Sequence, residues 1–175
     1  MTYEKTPGVT SSTKVWTSGG RVELAKDKAT LLVMLHPQCP CTRATLGELN
    51  ALLAQCGDKV QVYALFYKPK DYPQDWVKTD LWRSASAIPG VRVVVDEDGI
   101  EARRLHAVTS GQVFLFNPAG HLLFSGGITP ARGTSGDNAG REAIVSFVTT
   151  GQAKRNKTFV FGCSLFSSAS KDTPR

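Results

Sequence analysis

At 175 residues the chain has the length of one domain with a sizeable core, and its 41% hydrophobic and 21% charged content is that of an ordinary globular protein. No apolar run approaches the roughly 20 residues of a membrane-spanning helix. The net charge of +6 does not mark a nucleic-acid binder: residues 151–175 hold Lys154, Arg155, Lys157, Lys171 and Arg175 against Asp172 alone, five cations to one anion, which leaves +2 scattered over the other 150 residues without aromatic interleaving.

In chain order, residues 1–12 read as an extended N-terminal arm, 13–151 as the folded domain and 152–175 as a solvated, basic C-terminal tail. Val15-Trp16 and Arg21-Val22-Glu23-Leu24 can add short strands around Gly19-Gly20. Residues 30–36 are an apolar run of strand length, and 41–55 a helix with Leu46, Leu49, Leu52 and Leu53 on its apolar side. Residues 59–67 read as a second buried strand ended by Pro69, and 71–80 as a polar loop carrying aromatic residues. A short helix over 81–88 stops at Pro89-Gly90. Residues 91–95 form a third strand closed by Asp98-Gly99, and 100–106 make two helical turns. Residues 112–116 and 121–125 pair as a hairpin about Asn117-Pro118-Ala119-Gly120. After the glycine-rich loop 126–136, Asp137 or Asn138 caps a last helix ending near Gly151. Strands alternating with helices, then a hairpin, predict an α/β fold: a central mixed sheet, mainly parallel, with helices on both faces.

The chemistry concentrates where the first strand meets the first helix. Cys39 and Cys41 lie one residue apart in the turn His36-Pro37-Gln38-Cys39-Pro40-Cys41. Free backbone N–H groups and the positive end of the helix dipole stabilise a thiolate at such a point. A Cys39–Cys41 disulfide closes a very small ring, so it is strained and easily reduced, which suits exchange better than stapling. Four cysteines do not make a disulfide framework in a chain this long. Cys56 reads as a small buried residue at a helix end, and Cys163 has no evident partner. A second chemistry uses the same sulfurs: two thiolates with His36, and with Cys163 or His121, form a soft ligand set for copper(I) or zinc. The acidic turn Asp96-Glu97-Asp98-Gly99 lacks the later ligands of a calcium loop, and the glycines of 126–140 lack phosphate-loop spacing.

The strand, the proline-containing cysteine pair and the helix resemble the active-site segment of the thioredoxin-like superfamily, in particular its bacterial TlpA/ResA-type members. His-Pro-Gln-Cys-Pro-Cys-Thr-Arg-Ala, Thr109-Ser110-Gly111 and Gly136-Asp137-Asn138-Ala139-Gly140-Arg141 resemble more closely a group of bacterial proteins labelled RedB. The resemblance spans roughly residues 7 to 150. It implies a thioredoxin-like fold with an extra helix–strand insertion, and thiol–disulfide oxidoreductase activity that requires no cofactor. It also implies a redox partner protein or thiol substrate, and a place on the periplasmic side of a bacterial inner membrane, held by a tether preceding these residues. By the same resemblance Cys39 is the attacking thiol and Cys41 the resolving one, although Cys41 can equally occupy the helix-start position. His36, Pro40, Arg43, Thr109, Ser110 and Gly111 are the supporting residues, with Arg43 available to hold a thiolate. The superfamily's cis-proline before the hairpin is replaced here by Gly111. Because that proline keeps metals away, its loss favours the alternative of a copper or zinc carrier, a role that thioredoxin-like copper-delivery proteins fill with a spaced cysteine pair and a distant histidine. A third reading is an interaction module with idle cysteines.

Strand directions add a geometric expectation. Residues 109–111 contact the cysteine turn, and the loop 126–138, with Gly126, Gly127, Arg132, Asp137 and Asn138, forms the other wall of a shallow cleft.

Overall fold

The computed structural model describes residues 5–11 and 15–166. The ends of the expected arm and the polar end of the expected tail lie outside the described residues. Nine principal elements follow in the expected order: β1 (Ala29–Leu35), α1 (Cys41–Cys56), β2 (Val60–Lys68), α2 (Asp80–Ser86), β3 (Val91–Glu97), α3 (Ile100–Arg104), β4 (Gln112–Phe116), β5 (Leu122–Gly126) and α4 (Ala139–Thr150). The loop after β2 carries a 3₁₀ turn at Gln74–Val77.

The sheet order is β3-β2-β1-β4-β5. β1, β2 and β3 are parallel, while β4 runs antiparallel to β1 and β5 antiparallel to β4. β1 is central, so both its faces are covered and its sequence is continuously apolar rather than alternating. The period of two still sorts its side chains. Leu31, Val33 and Leu35 join Leu46, Leu49 and Leu52 of α1 and Ile144 of α4 in one core. Leu32 and Met34 join Tyr63, Leu65, Ala102, Phe114 and Phe116 in the other. The unit α2–β3 extends the sheet by one strand beyond β2.

Caps set the helix ends. Asn138 Oδ1 accepts from Arg141 N at 2.8 Å to open α4, and Gly151 closes it in a left-handed conformation. The buried Asp96 carboxylate accepts from Glu101 N and Ala102 N at 2.9 and 3.0 Å, so the acidic turn serves to start α3.

Two expectations fail. No strand forms at Val15-Trp16 or at 21–24; Val15 makes only an isolated bridge to His121. Side-chain anchoring replaces pairing there: Trp16 packs edge-on against Phe116, Val22 enters the second core, and Arg21 N donates to Glu101. The outer edge of β5 is used by another segment, since Ser125 bridges Lys157 in parallel. That segment is the second correction. The described part of the basic stretch expected to be a solvated tail, residues 152–166, turns back over the domain, and Val160 and Leu165 are buried. Its apolar residues Val160, Leu165 and Phe166 follow Lys154, Arg155 and Lys157, and they draw it onto the sheet end.

Candidate functional site

β1 delivers the chain to a turn that the local hydrogen bonds fix. Cys39 N donates to His36 O at 3.2 Å, Thr42 N to Cys39 O at 3.0 Å, and Thr42 Oγ1 to His36 O at 3.1 Å. Pro40 sits at the helix N-cap with φ −58° and ψ −31°, already helical. Because β4 is antiparallel to β1, it begins where β1 ends, and Ser110 arrives beside the turn. His36 N donates to Ser110 Oγ at 2.9 Å, and that hydroxyl lies 3.2 Å from Thr42 Oγ1. Gly111 N donates to Met34 O at 2.7 Å with φ +93°, a conformation that a proline cannot adopt.

The returning segment 156–166, here called the strap, completes the site. It is held by Gly8 N to Val160 O at 2.7 Å, Gly127 N to Phe159 O at 3.1 Å, Ser110 N to Cys163 O at 2.8 Å and Leu165 N to Val108 O at 2.9 Å. Arg132 reaches back to donate to Gly162 O. A Cβ on Gly162 would lie 1.8 Å from Ser110 O, so only glycine lets the strap approach this closely. Cys163 Sγ thereby comes to 2.8 Å from Cys39 Sγ, and the sulfurs of Cys39, Cys41 and Cys163 all lie within 4.8 Å of one another.

The three thiols are not equivalent. The Cys163 S–H donating to Cys39 holds the Cys39 thiol well below its ordinary range, to about 5; burial opposes this, while the backbone N–H groups of Cys163 and Cys41 and the Cys41 thiol reinforce it. Cys41 is pushed up by burial and by the negative charge on Cys39, against the opposing pull of Arg132 and the Gly133 N–H. Cys163 is pushed up by its hydrogen bond to Cys39, by burial and by the Cys39 charge, again opposed by Arg132. The surroundings thus favour the thiolate at Cys39 and the protonated thiol at Cys41 and Cys163.

Other residues singled out in the sequence fall as follows. His36 is buried, accepts from Gln38 N at Nδ1 over 3.1 Å and lies against Tyr67 and Trp76; it is not in the thiol cluster. His121 belongs to the hairpin turn, at the other end of β4. Arg43 is an exposed partner of Asp80 on α2, and the cation acting on the thiols is Arg132 instead. Thr109 Oγ1 donates to Val9 O at 3.0 Å, toward the N-terminal arm. Gly126 and Gly127 pack against Thr158 and Phe159 of the strap. Asp137 is exposed and pairs with Arg141 at 3.1 Å. Asn138, besides capping α4, donates to Glu48 Oε2 at 3.1 Å. A cavity of about 650 Å³ opens between the α4 N-terminus and the strap, lined by Gly127, Thr129, Asn138, Gly140, Lys157 and Phe159 among others but by no cysteine.

Sequence reasoning missed Glu48. Its buried carboxylate accepts from Gly136 N at 2.7 Å, Asn138 Nδ2 at 3.1 Å and Arg141 at 2.5 Å, and so ties α1 to the glycine-rich loop. Its place on the apolar side of α1, one residue before Leu49, was the available signal. It missed the strap's role too, for which an apolar run ending in Gly-Cys was the clue.

No protein-family model matches the chain, and no curated protein does. Among solved structures, an uncharacterized conserved protein from Geobacillus kaustophilus superposes with a TM-score of 0.65 at 19% identity, over 82% of this chain and 79% of its own. A secreted Mycobacterium tuberculosis disulfide oxidoreductase homologous to E. coli DsbE gives 0.51 at 13%, over 70% and 81%. An exposed lipoprotein thioredoxin from Streptococcus pneumoniae gives 0.51 at 17%, over 70% and 84%. Identities this low speak for fold: the mixed five-stranded sheet with helices on both faces is thioredoxin-like, as the resemblance implied.

Proposed function

We propose that this protein carries out thiol–disulfide exchange, with Cys39 as the attacking thiolate. The observation that carries this reading is the sulfur cluster at the end of β1, where Cys163 lies 2.8 Å from Cys39 and the Cys41 and Cys163 thiols are both placed to resolve a mixed disulfide. Arg132 and the Gly133 N–H lie where charge moves from one sulfur to the next. The substrate class is a protein or small-molecule disulfide, and no cofactor enters the step. RedB-like or TlpA-like membership and a tethered, periplasmic setting belong to the same proposal; the secreted and lipoprotein character named for two fold neighbours supports export. Among the described residues no helix is long and apolar enough to cross a membrane, so a tether would lie outside them.

The three-sulfur cluster supports one second reading, a carrier of copper(I) or zinc. Its ligands would be Cys39, Cys41 and Cys163 rather than the set including His36. Thiol counting before and after mild oxidation, with metal analysis of the same sample, separates the two. Loss of two thiols without metal is the expected result, and one equivalent of metal held by intact thiols would replace exchange with carriage.

A further inference from the structure

The turn offers Cys39 two possible disulfide partners, and the geometry distinguishes them. Cys41 is two residues away, so a bridge to it closes a ring with little freedom to reach the relaxed torsion. Cys163 lies 124 residues away in sequence and comes from a different segment, 2.8 Å from the Cys39 sulfur, with no short ring to strain. Its position is built rather than incidental. The strap carrying it is hydrogen-bonded before, at and after the cysteine, by Gly8 N to Val160 O, Ser110 N to Cys163 O and Leu165 N to Val108 O, and Gly162 allows the close approach.

Resting on the exchange reading above, we propose that Cys163, not Cys41, is the resolving thiol, and that the resting oxidised protein carries a Cys39–Cys163 disulfide joining the strap to the active-site turn. The Cys39 thiolate attacks one sulfur of an external disulfide; that S–S bond breaks, one thiolate leaves, and Cys39 is held in a mixed disulfide. Cys163 then gives up its proton to the released thiolate or to water and attacks the Cys39 sulfur. The second substrate thiolate leaves as the Cys39–Cys163 bond forms. The external disulfide has gained two electrons, and the two protein thiols have lost them. An external dithiol reverses the sequence.

The test uses trypsin mapping and a coloured probe. Cleavage after Lys28, Arg43, Lys157 and Lys171 puts Cys39 and Cys41 together in peptide 29–43 and Cys163 in peptide 158–171. The oxidised wild-type protein is expected to show 29–43 linked to 158–171, a link retained in Cys41→Ser and lost in Cys39→Ser. With one equivalent of dithiobis(nitrobenzoate), Cys41→Ser should release two equivalents of coloured thiolate and keep no adduct. Cys163→Ser should release one at once, keep the adduct on Cys39, and release the second at least about 100-fold more slowly because only the strained partner remains. A bridge confined to peptide 29–43, or Cys163→Ser resolving at the wild-type rate, overturns the assignment while leaving exchange intact. Cys39→Ser reacting as fast as wild type would instead remove the exchange reading itself. Mapping of the unmutated protein decides the case even where a variant misfolds.

Discussion

The low position of the Cys39 thiol has a definite origin: the adjacent Cys163 S–H and the backbone N–H groups of Cys163 and Cys41 favour the thiolate more than burial disfavours it. A thiolate-absorbance titration of the reduced protein should therefore show one group near 5, absent in Cys39→Ser and shifted upward in Cys163→Ala; a Cys39 midpoint in the ordinary thiol range would refute the hydrogen-bonding account. The sign for stability follows by linkage. A group lowered on folding is ionised in the native state while the unfolded chain still binds the proton, so stability rises with pH between about 5 and the unfolded thiol value, and that contribution is lost as pH falls through 5. Denaturant midpoints across this window should rise more steeply for the wild type than for Cys39→Ser. At this scale the sequence was half legible. Cys39, Pro40 and Cys41 announced themselves because strand, turn and helix start are local signals. Cys163 and Arg132 act through contacts far apart in sequence, and no short-range pattern records those. Arg43 illustrates the converse, since proximity in sequence to Cys41 suggested a role that its pairing with Asp80 occupies.

Between elements, Glu48 is the joint. Its side chain is 4% exposed and Arg141's 17%, and the pair links the middle of α1 to the first turn of α4 while Gly136 and Asn138 close the remaining lone pairs. Removing Glu48 takes the acceptor from Gly136 N and Asn138 Nδ2 and leaves Arg141 with Asp137 alone, which costs more than the net worth of the pair. Glu48→Ala should lower unfolding stability by about 3 kcal/mol in denaturant titration, and a loss below about 1 kcal/mol would show the network to be ornamental. Element boundaries elsewhere were readable within a residue or two because Pro69, Pro89-Gly90, Asp98-Gly99 and Gly151 mark them directly. The strands expected at Val15-Trp16 and 21–24 were misread because β-propensity there is used for side-chain docking, with Val22 and Trp16 packed against the second core while the backbone bonds to a turn and to side chains rather than to a ladder. Gly162→Ala probes the strap in the same spirit. The added methyl meets Ser110 O, so the strap should lift and alkylation of Cys163 should accelerate by at least about 10-fold, with far-ultraviolet dichroism unchanged.

Across the whole molecule, the hydrophobic pattern was enough to specify the alternating elements, and the directions of β1, β4 and β5 then place residues 109–111 and the 126–138 loop at the same sheet end as the cysteines. The pattern did not show that the chain returns there a third time. Charge counting over 151–175 averaged the basic residues with the apolar run that follows them, and burial is decided by the run. The return makes redox state and stability one question. A Cys39–Cys163 bridge would close a loop of 124 residues, and in the chain-entropy account a closure of that size removes roughly 4–5 kcal/mol of unfolded-state freedom, less any native strain. A Cys39–Cys41 bridge closes almost no loop and should leave stability nearly unchanged. At roughly 2–4 °C per kcal/mol for a domain of this size, the oxidised wild-type protein should melt on the order of 10 °C above the reduced one. The gap should vanish in Cys163→Ser and persist in Cys41→Ser. Equal melting of the two wild-type forms, once two thiols have demonstrably been lost, would mean that oxidation is confined to the turn and that the strap is a structural clasp alone.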